Sequence, residues 1–152
     1  MSIDNMKKQA QGLYEESKTN ADELFTYDVQ VQLIAAATAG DPAAEHGWVP
    51  VPFAGEIQSV NFTQSAALAA DPTNYATWNL VKRDAAGLNN VVAALRASTT
   101  AILQYGKNAM TVTRANAVVV EGGALSLTVT KTGTGQATTA GVATVRILKS
   151  GS

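Results

Sequence analysis

The sequence predicts a mainly β protein, an antiparallel β-sandwich of jelly-roll type preceded by an N-terminal helical arm. Three observations predict it. The hydrophobic period changes from helical to two at Thr26. Seven to nine short strand-like runs follow, each bounded by Gly, Pro, Asn or Asp. The connectors between them are unequal, longest at 35–47 and 63–74, which suits a jelly roll better than a simple meander. The arm takes residues 1–25 and the sandwich residues 26–152. A chain of 152 residues buries enough surface to fold without a disulfide or a metal.

The arm reads as helix. Ile3, Met6, Ala10, Leu13, Ser17, Asn20 and Leu24 fall on a 3-4-3 spacing, one stripe of a helix of about 35 Å. Asn20 followed by Glu23 has the form of a capping box, so a break near Thr19-Asn20 and a second short helix is the alternative. The stripe is thin, and such a helix is marginal alone. It is expected to pack on its own domain, on its symmetry mates or on a partner surface, with a disordered arm as the remaining reading.

From Thr26, Tyr27, Val29, Val31 and Leu33 alternate with Asp28, Gln30 and Gln32, a half-buried strand. Residues 35–47 read as an Ala-rich connector that turns at Asp41-Pro42. In Gly47–Phe53, Pro50 and Pro52 cannot donate to a ladder, which predicts an edge or a corner. Gly55–Phe62 is the next strand, and its apolar phase slips between Ile57 and Val60, which predicts a bulge. Tyr75–Lys82 follows, with Trp78 and Leu80 on one face, then a turn at Asp84–Gly87 and a strand at Asn90–Leu95. Ala109–Thr113 and Val118–Val120 are short strands, and Glu121-Gly122-Gly123 is a turn. Leu125, Leu127 and Val129 alternate with Ser126, Thr128 and Thr130; Gly133-Thr134-Gly135 reads as a flexible loop, and Val142–Lys149 is the last strand. Nine of the seventeen Thr lie after residue 110, where β-branched side chains suit a pleated surface.

Charge narrows the function. Only 15% of residues are charged, against about 25% in an ordinary soluble domain, and the net charge is −1. That balance argues against a nucleic-acid-binding face. A charge-poor surface is less costly to desolvate, so much of it is expected to lie against other protein. Nine of the charges sit in residues 1–28, leaving fourteen for the other 124, so a charged arm precedes a charge-poor body. No apolar run is long enough for a membrane helix. The first residues lack the order of a signal peptide, so no export is expected.

No active site is legible. There is no Cys and one His, His46, so neither a disulfide framework nor a His-cluster metal site is expected, and no cofactor is implied. No Gly-x-Ser-x-Gly elbow accompanies His46, which reads as a surface or interface residue. Gly133-x-Gly135 lacks the third Gly and the helix of a phosphate loop. Asn61-Phe62-Thr63 matches a glycosylation sequon by chance, on a strand. Lys82-Arg83 reads as two solvated charges. No carboxylate pair stands out as a glycosidase pair. Trp78 is a core residue by its phase with Leu80. For Trp48, core or intersheet packing comes first, although it is the better candidate of the two for an exposed contact.

A family resemblance emerges from Val51–Val60, Asn74–Val81 with the small-residue turn Ala85-Ala86-Gly87, Val91–Leu95, Val118–Leu125, Gly133-Thr134-Gly135 and Val142–Leu148. In pattern and order these resemble the head decoration (cement) proteins of tailed bacteriophages, over Val49–Lys149, about two thirds of the chain. Similar sequences often carry Asp in the turn before Leu125, where this chain has Gly123. The resemblance implies a non-enzymatic homotrimer on the outer surface of the virion, made in the host cytoplasm, that clamps neighbouring copies of the major capsid protein. The contacts would come from the arm (Ile3, Met6, Leu13, Leu24, Phe25) or from the edge at Trp48, Pro50 and Pro52. A carbohydrate-binding, lectin-like module using Trp48 or Tyr75 as a stacking platform is the alternative, and a trimeric fibre or baseplate subunit a third reading.

Overall fold

The computed structural model describes residues 2–33, 39–40, 44–84 and 89–150, with the backbone alone for 14–24 and 89. Among these residues it is mainly β, with one helix, α1 (Ile3–Leu24), and nine strands: β1 (Thr26–Leu33), β2 (Ala44–Pro50), β3 (Gly55–Gln64), β4 (Tyr75–Arg83), β5 (Asn89–Arg96), β6 (Asn108–Val112), β7 (Val118–Val119), β8 (Ala124–Thr132) and β9 (Gly141–Lys149). A 3₁₀ turn at Arg114–Asn116 leads into β7. α1 runs unbroken through Thr19-Asn20, so the two-helix alternative is overturned; the capping box expected at Asn20 and Glu23 lies outside the described side chains.

The strands form an antiparallel sheet in the order β1-β9-β3-β6-β5-β4-β8-β2, with β7 beside β3. Four of the pairings are nested: β1 with β9, β2 with β8, β3 with β6 and β4 with β5. Two further pairings, β9 with β3 and β4 with β8, fold this nest back on itself. The two end strands then meet. The backbone of β2 at Gly47 comes so close to Gln32 of β1 that a Cβ on Gly47 would strike that residue's backbone. The sheet is thus nearly closed, in the manner of a barrel or sandwich.

Alternation explains the core. Val29, Val31 and Leu33 of β1, Ile57, Val60 and Phe62 of β3, and Val145 and Ile147 of β9 point inward from one side. Trp78 and Leu80 of β4 and Leu125, Leu127 and Val129 of β8 come from the other. Phe62 and Trp78 meet between them with ring centroids 5.4 Å apart, a contact worth about 0.5–1.5 kcal/mol beyond burial.

The bulge expected in β3 is present: the register to β9 shifts between Ile57 and Ser59. Arg114 explains how it is tolerated. Its Nη1 and Nη2 donate to the carbonyls of Ile57 and Gln58 at 3.0 and 3.2 Å, satisfying groups the bulge removes from the ladder.

Two expectations fail. Residues 44–47, read as connector, begin β2; its alternation is hidden because Gly47 sits at φ +70° and the register breaks between His46 and Val49. The turn Gly133-Thr134-Gly135 is tied down, because Asn74 Oδ1 accepts from both the N–H and the hydroxyl of Thr134, at 2.9 and 3.0 Å. The expected turn at Asp41-Pro42 and residues 85–87 of the turn after Asp84 lie outside the described residues.

Candidate interaction surface

Antiparallel order brings several chain ends to one end of the barrel: the start of β1, β3 and β8 and the end of β2, β4 and β9. The two prolines act here as expected. Pro50 closes β2 opposite Ala124, and the chain leaves the ladder through Pro52. Between them Val51 keeps its polar groups paired, donating to Gly123 O at 2.7 Å and accepting from Gly122 N–H at 3.0 Å. The 50–53 corner and the 120–123 turn therefore brace each other.

Phe53 is fixed from two sides. Tyr27 meets it edge-on at 6.0 Å and donates its hydroxyl to Phe53 O, and Lys149 Nζ lies 4.4 Å from the ring centre. Partial burial pushes the Tyr27 phenol above its ordinary pKa. Phe25 is pinned beside them, its carbonyl accepting from Lys149 N–H at 2.8 Å.

On the neighbouring side stands a polar cluster. Arg83 donates to both carboxylate oxygens of Glu45, at 2.8 and 2.5 Å, and Ser126 donates to Glu45 Oε1 at 2.5 Å. Trp48 lies over the Arg83 guanidinium at 4.9 Å. The Arg83 hydrogen bonds, above all, hold the Glu45 carboxyl below the usual carboxylate range. Lys82 donates to Val118 O at 2.7 Å. Neither Lys82 nor Arg83 is merely solvated, contrary to the sequence reading.

Large apolar side chains remain uncovered at this end, beside the exposed charges of Glu56, Asp84 and Glu121. Phe25, Trp48, Phe53, Val118 and Val120 are each 45–59% exposed, and Pro50 and Pro52 are exposed beside them. A small hollow of about 80 Å³ opens beside Val118 and Val120, lined also by Val51, Lys82, Arg83 and Ala124. Core packing for Trp48 is thereby overturned. Its neighbours in the chain could not reveal that Arg83, 35 positions on, would hold it at the surface.

Of the residues singled out from sequence, Phe25, Trp48, Pro50 and Pro52 come together here. Leu24 ends α1 next to Phe25. Ile3, Met6 and Leu13 lie along α1, 56–71% exposed, with no barrel surface covering them. Sequence reasoning missed Phe53, Val118 and Val120. The signal for the valines was present: three in a row before a Gly-Gly turn, of which an extended chain buries only Val119.

Tyr75, the other proposed platform, is half-buried against the core, with Arg96 5.7 Å from its ring centre. His46 is half-exposed on β2. Among the described residues, no three His, Asp or Glu side chains gather as a metal ion would need, and no helix is long and apolar enough to cross a membrane. In comparisons with known proteins, the chain matches no family model, no curated protein and no solved structure.

Proposed function

We propose that this chain is a viral structural protein, a cement subunit that decorates the outside of a phage head and fastens neighbouring copies of the major capsid protein. The observation that carries the reading is five large apolar side chains that stay exposed at one end of the barrel. An apolar cluster of this kind, held on a rigid frame in a charge-poor chain, is built to be covered by protein.

The connectivity supports the same reading. Pairings β1–β9, β2–β8, β3–β6 and β4–β5 are those of one long folded ribbon, and wrapping that ribbon sets β9 beside β3 and β8 beside β4. That is how a jelly roll arises, with β7 as a short addition. The sequence resemblance to head decoration proteins points to the same fold.

The apolar spacing of α1, with Ile3, Met6 and Leu13 exposed, supports self-association. Ile3, Met6, Ala10, Leu13, Ser17, Asn20 and Leu24 repeat every seven residues in the a and d positions of a coiled-coil seam, so α1 is read as an arm that meets its counterparts in a homotrimer. A trimer that touches several capsomers gains avidity without any single strong contact. Binding the assembled shell and not loose subunits, it shifts the equilibrium toward the intact particle. The protein makes and breaks no covalent bond and needs no cofactor, nucleic acid or membrane.

A glycan platform at Trp48 or Tyr75 is less well supported, because Arg83 lies over the one ring and the core covers much of the other. The test is co-sedimentation of the purified protein with undecorated phage heads. Saturation at a fixed ratio per capsomer is expected, with a trimeric mass for the free protein. A strict monomer that stays in the supernatant would overturn the reading.

A further inference from the structure

A shallow groove of about 360 Å³ crosses the outer face of the β1–β9–β3 sheet, on the side of the barrel and not at the end that carries the exposed apolar side chains. The strand period builds its floor. Inward, β3 and β9 bury Val60, Phe62, Ala143 and Val145; outward, the same strands present Ser59, Asn61 and Thr63, with Thr144 opposite Asn61. The three β3 positions span about 13 Å of hydroxyl and amide groups. Asp28 and Arg146 close one side as an ion pair, joined at 3.0 and 3.2 Å.

The rim is Tyr105, an aromatic residue whose backbone is held in place at a cost. Tyr105 is 73% exposed and, among the described residues, alone has a positive φ without being glycine, at 51°. The loop around it is fixed from below. Asn108 is buried; its Oδ1 accepts from Leu103 N–H at 2.8 Å, and its amide nitrogen faces the carbonyls of Phe62, Leu103 and Gly106 at 3.1–3.3 Å. Tyr105 N–H donates to Gln64 O at 2.9 Å. A left-handed backbone at a non-glycine residue is strained, and such strain persists where its surroundings over-determine it, often at ligand sites. Here it sets an exposed ring and Lys107 beside a polar floor.

We infer that this groove binds a saccharide that carries a single carboxylate, the face of one sugar ring lying on Tyr105. A sugar offers both halves of the required chemistry: an apolar ring face for the aromatic, and hydroxyls for Asn61, Ser59, Thr63 and Thr144. Arg146 is neutralised by Asp28, so the groove carries one net positive charge, that of Lys107. One cation suits a uronic acid and is too little for a nucleic-acid track.

The test is a glycan array bearing neutral and uronate-containing oligosaccharides, probed with the full chain and with Tyr105→Gly, Asn61→Ala and Lys107→Ala. The wild type is expected to retain uronate glycans. Tyr105→Gly should cut retention at least tenfold while keeping the melting temperature, since glycine accepts the φ that tyrosine resists. Asn61→Ala should weaken all glycans, and Lys107→Ala only the acidic ones. Retention of neutral glycans alone, lost in Tyr105→Gly, would support the sugar site and overturn its charge preference. A wild type that retains no glycan, or retention indifferent to Tyr105, would overturn the inference.

Discussion

Arg83 and Glu45 grip each other across a strand that belongs to neither. Arg83 ends β4 and Glu45 lies on β2, and β8 runs between them with Ser126 underneath. Ser126 is fully buried although it alternates with Leu125 and Leu127, because Glu45, Arg83 and Trp48 roof it on the outer side. The cluster therefore ties β2, an end strand, to the body of the sheet. Arg83→Ala is expected to lower the urea midpoint, because it takes two hydrogen bonds from the Glu45 carboxylate and the cation from the Trp48 ring. Ser126→Ala should cost less, since the carboxylate keeps its guanidinium. Urea unfolding at neutral pH measures both, and equal midpoints for Arg83→Ala and wild type would refute the role.

The same carboxylate makes stability depend on pH. Arg83 hydrogen bonds chiefly hold Glu45 below the usual range, and Asp71 is lowered by the backbone N–H groups of Asn74 and Thr73, at 2.9 and 2.8 Å. A carboxyl with a lowered folded pKa binds fewer protons in the folded state than in the unfolded one. Its contribution is complete above the ordinary carboxylate range, near pH 4, and is lost as pH falls through the lowered folded values. Melting temperature should accordingly be flat from neutral pH to about 5 and fall below about 4. Glu45→Gln should start lower and fall less steeply. A melting temperature that rises with acid would contradict the sign.

How much of this was legible in the sequence depended on the range of the cause. The β3 bulge was visible because Ile57 and Val60 break phase within four residues. The inward face of β4 was visible in Trp78 and Leu80. Trp48 was misjudged because a tryptophan among valines and prolines looks like core until Arg83 is placed beside it. β2 was shortened because one left-handed glycine hides its period. The groove under Tyr105 was not legible at all, since its floor alternates with core residues and its rim comes from a loop some forty positions away.

Gly47 should be among the least replaceable residues on the surface of the barrel. Its φ of +70° disfavours any side chain, and a Cβ there would meet Gln32 N at 2.9 Å and Val31 Cγ1 at 3.0 Å. The obstruction is largely β1 backbone, which cannot rotate away. Gly47→Ala is expected to cost about 2 kcal/mol or more, a fall of about 4–8 °C in melting temperature. An unchanged melting temperature would mean that β1 and β2 do not close on each other as described.

Trp48 separates stability from association. It is 56% exposed, and its contact with Arg83 is worth about 0.5–1 kcal/mol. Trp48→Ala should therefore shift the melting temperature of the isolated chain by only a few degrees. At an interface, by contrast, tryptophan is a frequent anchor worth about 2 kcal/mol or more, which is more than a tenfold loss of affinity. If the chain is the cement subunit proposed above, undecorated heads incubated with the variant should thus show reduced occupancy at protein concentrations where the wild type saturates. Phe53→Ala makes the comparison sharper, because Phe53 also packs on Tyr27 and Lys149 and should lose both stability and binding. If Trp48→Ala unfolds the chain as readily as Phe53→Ala, the ring is part of the scaffold. If it leaves occupancy untouched, this end of the barrel faces something other than the shell.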